Sequence, residues 1–187
     1  TTLADSLDSV TYGGIPLIQV AGSPNAVAGE GGEIACFVLT SGIPPGSQTV
    51  VANFSGAGTH TAGCVTSASD AVESTVVEDI DISINSTAIV NPTSTLNLNG
   101  KSCFCAIGGY SGQNSPGAIT PTANWTSRLE EDMGADVVFV YTYDIISTAD
   151  VAAGWTQVSD DAVAICIAIA EMPGVFPLFR REQVHLV

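Results

Sequence analysis

The sequence predicts an all-β protein, an antiparallel sandwich or barrel of about ten or more short strands. Short apolar or alternating runs recur along the chain, and its 19 Gly and 9 Pro residues fall largely between them, where turns belong. No stretch keeps apolar residues at helical spacing over three turns. The chain has 187 residues, of which 45% are hydrophobic, and this is enough to bury the core of one domain.

The strands are placed where β-branched, aromatic or alternating residues stand between turn residues. In chain order they cover residues 10–12, 16–21, 33–40, 48–55, 61–67, 75–84, 102–108, 123–129, 137–143, 151–157 and 162–170. Gly13 and Gly14 separate the first two strands, and Pro44-Pro45-Gly46 precedes the fourth. These residue types supply the positive or fixed φ angles that tight reversals require.

Three strands have distinct patterns. In 75–84, isoleucines alternate with acidic and hydroxyl residues, which predicts a half-buried strand with one wet face. Residues 137–143 are apolar or aromatic on both faces, as expected of a central strand. Residues 162–170 are also apolar on both faces, and their alternating isoleucines and short length favour a strand over a helix.

Two polar segments separate strands. Residues 91–99 form a loop or an edge segment, and residues 108–121 form a longer loop rich in Gly, Ser and Pro. Within the longer loop, Tyr110, Gln113 and Asn114 combine an aromatic ring with amides, the side-chain types that contact glycans. Loops on rigid scaffolds commonly carry binding function, so these three residues are candidate ligand contacts. A simple connector is the other interpretation of this loop.

The charge balance excludes several classes of partner. The chain has 4 Lys and Arg residues against 19 Asp and Glu residues, for a formal net charge of -15. Such a surface repels phosphate and anionic lipid, which excludes general nucleic-acid binding and membrane-surface binding. Acids cluster at Glu130-Glu131-Asp132 and at Asp160-Asp161, where solvated hairpin turns are expected. Calcium binding by such acids is a second hypothesis, and no other metal or cofactor is predicted.

The cysteine pattern predicts reduced structural thiols. The chain is long and its cysteine count is odd, unlike secreted disulfide scaffolds, and four of the five lie in apolar stretches. The five are Cys36, Cys64, Cys103, Cys105 and Cys166. Two of them, Cys103 and Cys105, share one face of a strand, but no further ligands stand at a spacing typical of zinc sites.

Catalytic chemistry has little support in the sequence. His60 lies in a Gly/Thr-rich turn and His185 lies close to the C-terminus. Neither accompanies a nucleophile motif such as G-x-S-x-G. We therefore predict a protein that is not an enzyme, with no catalytic residues.

Two stretches carry a resemblance to a known family. The first contains SVTYGGIPLIQV and EIACFVLTSGIPPGSQTVVANFSG, and the second contains ANWTSRLEEDMGADVVFVYTYDI and VAAGWTQVSDDAVAICIAIAEMPG. Over residues 9–173 they resemble β-sandwich domains of tailed-bacteriophage virion proteins and bacterial surface proteins. The resemblance implies that Gly13 and Gly14 form a turn and that Trp125 and Trp155 anchor the core. Family members have two further strands before the first hairpin, which a neighbouring subunit or another part of the chain would have to replace.

The resemblance implies a structural or attachment role. The first hypothesis is a virion structural protein, either a capsid decoration subunit or a minor head or tail subunit. Its body, residues 1–174, would be one jelly-roll-like β-sandwich. It would be made in the host cytoplasm, reside in the virion, and bind copies of itself and a virion protein such as the major capsid protein. The alternative is a glycan-binding or adhesion module on a phage or bacterial surface, which would contact host-surface glycan.

Residues 175–187 are predicted to form an extended docking tail. They follow Pro173-Gly174 and combine apolar residues with two of the four bases of the chain. The candidate docking residues are Phe176, Leu178, Phe179, Arg180 and Arg181. The apolar side chains would bury surface against a neighbour, and the arginines would pair with its acids.

Overall fold

A computed structural model of the chain describes residues 7–26, 33–55, 77–113, 117–134, 136–143 and 147–170. These residues form strands and no helix, so no helix that could cross a membrane occurs among them. The pairings between their strands are antiparallel, and the predicted all-β class is confirmed. The strands are β1 (Leu7–Tyr12), β2 (Ile15–Pro16), β3 (Ile18–Gln19), β4 (Asn25–Ala26), β5 (Glu33–Ile34), β6 (Phe37–Val38), β7 (Val50–Phe54), β8 (Val77–Asp81), β9 (Asn85–Ile89), β10 (Thr93–Leu96), β11 (Cys103–Ser111), β12 (Thr120–Pro121), β13 (Trp125–Asp132), β14 (Val137–Tyr143), β15 (Val151–Thr156) and β16 (Asp160–Ala170).

The largest unit is a six-stranded sheet with β11 and β16 at its centre. Its order is β13-β14-β11-β16-β8, and β9 pairs with β16 next to β8. The two central strands pair from Cys103 opposite Ala170 to Ser111 opposite Ala162. Seven consecutive residues of β16 are buried, and β14 lies between two partners. The predictions of a strand over 162–170 and of a central strand over 137–143 are therefore confirmed.

A three-stranded sheet of order β10-β15-β12 shares a core with this sheet. The Trp155 ring meets the Phe139 ring edge-on, with 4.5 Å between ring centroids. Trp125 is also buried, and its indole Nε1 donates a hydrogen bond to the Ala152 oxygen at 2.9 Å. The prediction that both tryptophans anchor the core is confirmed. The two sheets are consistent with the predicted sandwich, and its jelly-roll strand order stays a prediction.

The N-terminal segments form smaller units. One is a three-stranded sheet of order β2-β1-β7, and the others are the strand pairs β3-β6 and β4-β5. Ile34 of β5 packs on Tyr110 and Val163, which lie on the face of the six-stranded sheet opposite the Cys103 and Cys105 side chains. The six-stranded sheet is thus covered on both faces, and this explains its apolar central strands.

The first turn has the predicted glycine chemistry. Tyr12 pairs with Ile15, so Gly13 and Gly14 form a two-residue hairpin loop with φ angles of 58° and 82°. Two positive φ angles are the signature of the type I′ turn, whose twist matches that of the flanking strands. Gly46, with a φ of 77°, completes the Pro-Pro-Gly turn that precedes β7.

Several predicted boundaries were wrong. The strand predicted over 75–84 ends at Asp81, and its five described residues are all partly buried rather than alternating. Ile82 is exposed and Ile84 is buried, because the chain leaves the sheet between β8 and β9. The strand predicted over 102–108 continues to Ser111. The strands predicted over 16–21 and 33–40 are each broken into shorter pieces, and the one over 61–67 lies outside the described residues.

The segment 91–99, predicted as a loop or edge, contains the edge strand β10. Its buried residues occupy every second position, at Pro92, Ser94, Leu96 and Leu98. This period of two was visible in the sequence, but Pro and Ser at two of the inward positions made it look polar. The short polar strand β9 was missed because it has no such alternation.

Candidate functional site

The predicted docking tail lies outside the described residues. This applies to Phe176, Leu178, Phe179, Arg180 and Arg181. The ligand candidate Asn114 and both histidines also lie outside them. The roles assigned to these residues stay predictions.

The two described ligand candidates have little exposed surface. Tyr110 lies in strand β11 rather than in a loop, and it is only 4% exposed because β5 covers it. Gln113 is 8% exposed, and its Nε2 donates to the Val158 oxygen and to the Asp160 carboxylate, both at 3.2 Å. The prediction of an exposed aromatic-amide contact surface at these two residues was therefore wrong. Their side chains join β11 to the β15–β16 hairpin.

The buried side-chain amide of Gln157 links the β15–β16 hairpin to its neighbouring strands. The Gln157 Oε1 atom accepts hydrogen bonds from Ser111 Oγ at 2.7 Å and from Trp155 Nε1 at 2.6 Å. Its Nε2 donates to the main-chain oxygens of Ile89 at 3.0 Å and of Asp160 at 3.1 Å. One side chain thus satisfies polar groups of β9, β11, β15 and β16 inside the core. No sequence pattern singled out Gln157, since an amide after a Trp-Thr strand has no special spacing.

Asn25 has a similar role at the other side of β16. It is buried, and its Nδ2 lies 3.1 Å from the Ile82 oxygen, 3.1 Å from the Ile84 oxygen and 2.8 Å from the Ala164 oxygen. Its Oδ1 accepts a hydrogen bond from Asn85 Nδ2 at 2.9 Å. The residue lies where β16 changes partner from β9 to β8. There its amide donates to the Ala164 oxygen, which neither strand reaches.

Several of the described acids make pairwise contacts. Lys101 Nζ lies 2.5 Å from Glu78 Oε2, and Asn99 donates to the other Glu78 oxygen at 2.9 Å. The hydrogen bond from Lys101 lowers the pKa of Glu78. The buried Tyr141 hydroxyl donates to Glu130 Oε1 at 3.1 Å. Burial, reinforced by the Glu130 charge, raises the pKa of this tyrosine.

The acids do not assemble into a metal site in the described part of the chain. No three of its His, Cys, Asp and Glu side chains come together in a group that could hold a metal ion. Asp160 and Asp161 are the first residues of β16, and the turn predicted there lies just before them, at residues 157–159. The calcium hypothesis therefore has no site among these residues.

The four described cysteines are free thiols. Burial raises the pKa of Cys36 to about 11 and that of Cys105 to about 12, and it also raises the pKa of Cys166. Nucleophilic and metal-binding cysteines need the opposite shift, toward thiolate. The prediction of reduced structural thiols is confirmed for Cys103, Cys105 and Cys166, which are buried, while Cys36 is partly buried.

These thiols make stability depend on alkaline pH. Because the folded-state pKa values of Cys36 and Cys105 lie above the ordinary value of 9.0, the folded chain holds protons that the unfolded chain releases. The stability that these protonated thiols contribute is therefore fully present below pH 9 and is lost as the pH rises toward 11. Each such thiol contributes a slope of up to about 1.4 kcal/mol per pH unit. Urea unfolding at a series of pH values measures this slope. For Cys105→Ala, the free energy of unfolding relative to its own value at pH 8 should fall less steeply with pH than it does for the unmodified chain. An unchanged slope in Cys105→Ala would contradict the role of that thiol.

The outer strand β7 differs in charge from β8 and β13, which end the longest strand order in the structure. Val51 is 45% exposed and Phe54 is 39% exposed, and the strand sequence Val-Val-Ala-Asn-Phe carries no charge. Among the described residues it pairs only with β1. In contrast, β8 carries three acids and β13 carries one Arg and three acids. Charges at sheet edges oppose pairing with foreign strands, so β7 can accept one more readily than β8 or β13.

The chain matches no protein-family model, no curated protein and no solved structure.

Proposed function

We propose that this chain is a structural subunit of a tailed-phage virion, a capsid decoration subunit or a minor head or tail subunit. It acts by binding copies of itself and a virion protein such as the major capsid protein, and it performs no catalysis. The observation that carries the proposal is the exposed, uncharged edge strand β7 on an acidic body. A strand edge of this kind offers main-chain hydrogen bonds to a neighbour.

The net charge restricts where copies can meet. A chain with a formal net charge of -15 repels its own copies through most of its surface. Contacts between copies are favoured where acids are absent or where bases compensate them. Strand β7 meets the first condition, and the sequence of residues 175–187, which contains Arg180 and Arg181, meets the second.

The polar groups inside the body support the same proposal. The amide groups of Gln157 and Asn25 donate to main-chain oxygens of the sheet, and their oxygens accept from neighbouring side chains. The thiols of Cys105 and Cys166 are held in the protonated form. Each of these groups has a use in stabilising the fold, which is the requirement for a subunit that must keep its shape. The glycan-binding alternative loses Tyr110 and Gln113 as exposed contacts.

The first test of the docking tail uses substitutions in the full-length chain. Arg180→Glu together with Arg181→Glu adds four negative charge units where neighbours approach, and we expect the mass measured by light scattering to fall toward that of a single chain. A chain that ends at residue 174 should behave in the same way. Circular dichroism and the melting temperature check that the body remains folded. The matched control replaces Lys101, which already pairs with Glu78 on its own surface, with Glu.

The outcomes separate clearly. If both tail variants keep the mass of the unmodified chain, the tail is not the docking segment. If the unmodified chain remains a single chain at every concentration and does not bind phage particles, the assembly function is wrong. Specific glycan binding by the unmodified chain on an array would favour the adhesion module instead.

A further inference from the structure

The backbone of β7 has a defined outward-facing side. Gly13 N donates to the Thr49 oxygen at 2.9 Å, and Leu17 N donates to the Val10 oxygen at 2.9 Å. Val10 therefore directs its main-chain groups toward β2. Because the direction alternates along a strand, its neighbours Ser9 and Thr11 direct theirs toward β7. The same alternation along β7 places the N–H and C=O groups of Val50, Ala52 and Phe54 on the side away from β1.

We infer that β7 pairs antiparallel with β7 of a second copy, about a two-fold axis at Ala52. In this register Ala52 faces Ala52, and Val50 faces Phe54 in both directions. About six hydrogen bonds would form, because each of the three outward residues donates one and accepts one. The two β2-β1-β7 sheets would become one continuous six-stranded sheet. This inference rests on the proposed function, since it names a contact through which the copies assemble.

A second copy suits this edge because the strand is complementary to itself. A two-fold axis places identical strands against each other, so any charge on β7 would face a like charge close by. The strand has none, whereas a self-pairing of β8 would bring Glu78, Asp79 and Asp81 against their own copies. Side chains project perpendicular to the sheet, so the two backbones can reach the strand spacing of about 4.8 Å with Ala52 facing Ala52.

The contact is small, and this determines its strength. Five residues on each side bury well below the roughly 1,200–2,000 Å² of a stable isolated interface. Association through β7 alone should therefore be weak and depend on concentration. It would become lasting only in an assembly where other contacts act at the same time.

The first test removes one outward N–H group without removing a bond to β1. Ala52→Pro deletes the outward donor and places the proline ring on the pairing side, a position that edge strands tolerate. We expect the association constant measured by sedimentation equilibrium to fall at least about tenfold, which corresponds to 1.4 kcal/mol. The control Ala52→Val keeps the N–H group and should associate like the unmodified chain. Circular dichroism compares the folding of the two variants.

The second test reads the register. In a background with Cys64→Ser, Ala52→Cys should form a covalent dimer on mild oxidation, because paired Cα atoms lie about 5.5 Å apart, within disulfide range. In this register residue 51 faces residue 53, so the two cysteines of Val51→Cys are diagonal neighbours with Cα atoms about 7–8 Å apart. This variant should cross-link much less. The thiols of Cys36, Cys105 and Cys166 are protonated and at least partly buried, so they should contribute little background.

Failure of this inference differs from failure of the proposed function. If the unmodified chain associates and Ala52→Pro associates equally well, copies meet elsewhere and only the β7 pairing is wrong. If Ala52→Pro weakens association but Val51→Cys cross-links better than Ala52→Cys, the two-fold register at Ala52 is wrong. If the unmodified chain does not associate at any concentration and binds no phage particle, both proposals fail.

Discussion

Trp155→Ala is expected to lower the free energy of unfolding by about 3–5 kcal/mol. The indole is fully buried between the two sheets, where it meets Phe139 edge-on, and its removal leaves a cavity that the paired strands on either side cannot close. It also removes the donor that lies 2.6 Å from Gln157 Oε1, so a buried acceptor loses one of its two partners. Urea unfolding followed by circular dichroism measures the loss.

Two further variants separate the causes. Trp155→Phe keeps an aromatic ring against Phe139 but loses the Nε1 donor, and it should cost about 1–3 kcal/mol. Val158→Ala, at a residue that is 71% exposed in the neighbouring turn, should change stability by less than about 0.5 kcal/mol. If Trp155→Ala costs no more than Val158→Ala, the contact between the two sheets is not what the structure describes.

Asn25→Asp should cost about 3–5 kcal/mol at neutral pH, although it changes the side chain by a single group. The amide donates toward three main-chain oxygens, and a carboxylate in its place would put an unpaired negative charge against the same oxygens. Burial and these oxygens would raise the pKa of the new carboxyl group in the folded chain. The loss should therefore be smallest near pH 4 and grow as the pH rises toward neutral.

A matched control makes this test specific. Asn53→Asp introduces the same charge at an exposed residue whose amide donates to the Ser9 hydroxyl at 3.0 Å. It should change stability by less than about 1 kcal/mol, with a weak dependence on pH. Equal losses for the two variants would show that net charge, rather than the bridge at Asn25, controls stability.

The parts of the fold that could be predicted are those with a strong local pattern. The apolar runs in 137–143 and 162–170 and the Gly13-Gly14 turn each specify their structure within a few residues. Strand β9 could not be predicted, because its polar sequence becomes a strand only by pairing with the distant β16.

The candidate contacts depended even more on distant residues. Tyr110 looked like an exposed loop residue because Gly and Ser surround it in the sequence. In the structure β5, from much earlier in the chain, covers its ring. The importance of Asn25 and Gln157 also comes from partners that are remote in sequence, and no local spacing reports such partners. The uncharged sequence of β7 was visible beforehand, but its position at an outer edge was not.

The bridge at Asn25 has a consequence for synthesis. The residue binds the Ala164 oxygen across a separation of 139 residues, and the strand that contains Ala164 is central to the largest sheet. While the chain emerges from the ribosome, β8, β9 and β11 lack their common neighbour until β16 has been made. The main sheet can therefore be completed only after nearly all of the chain up to residue 170 is available. Contacts so distant in sequence favour slow folding, during which unpaired strands remain open to chaperones or to other nascent copies.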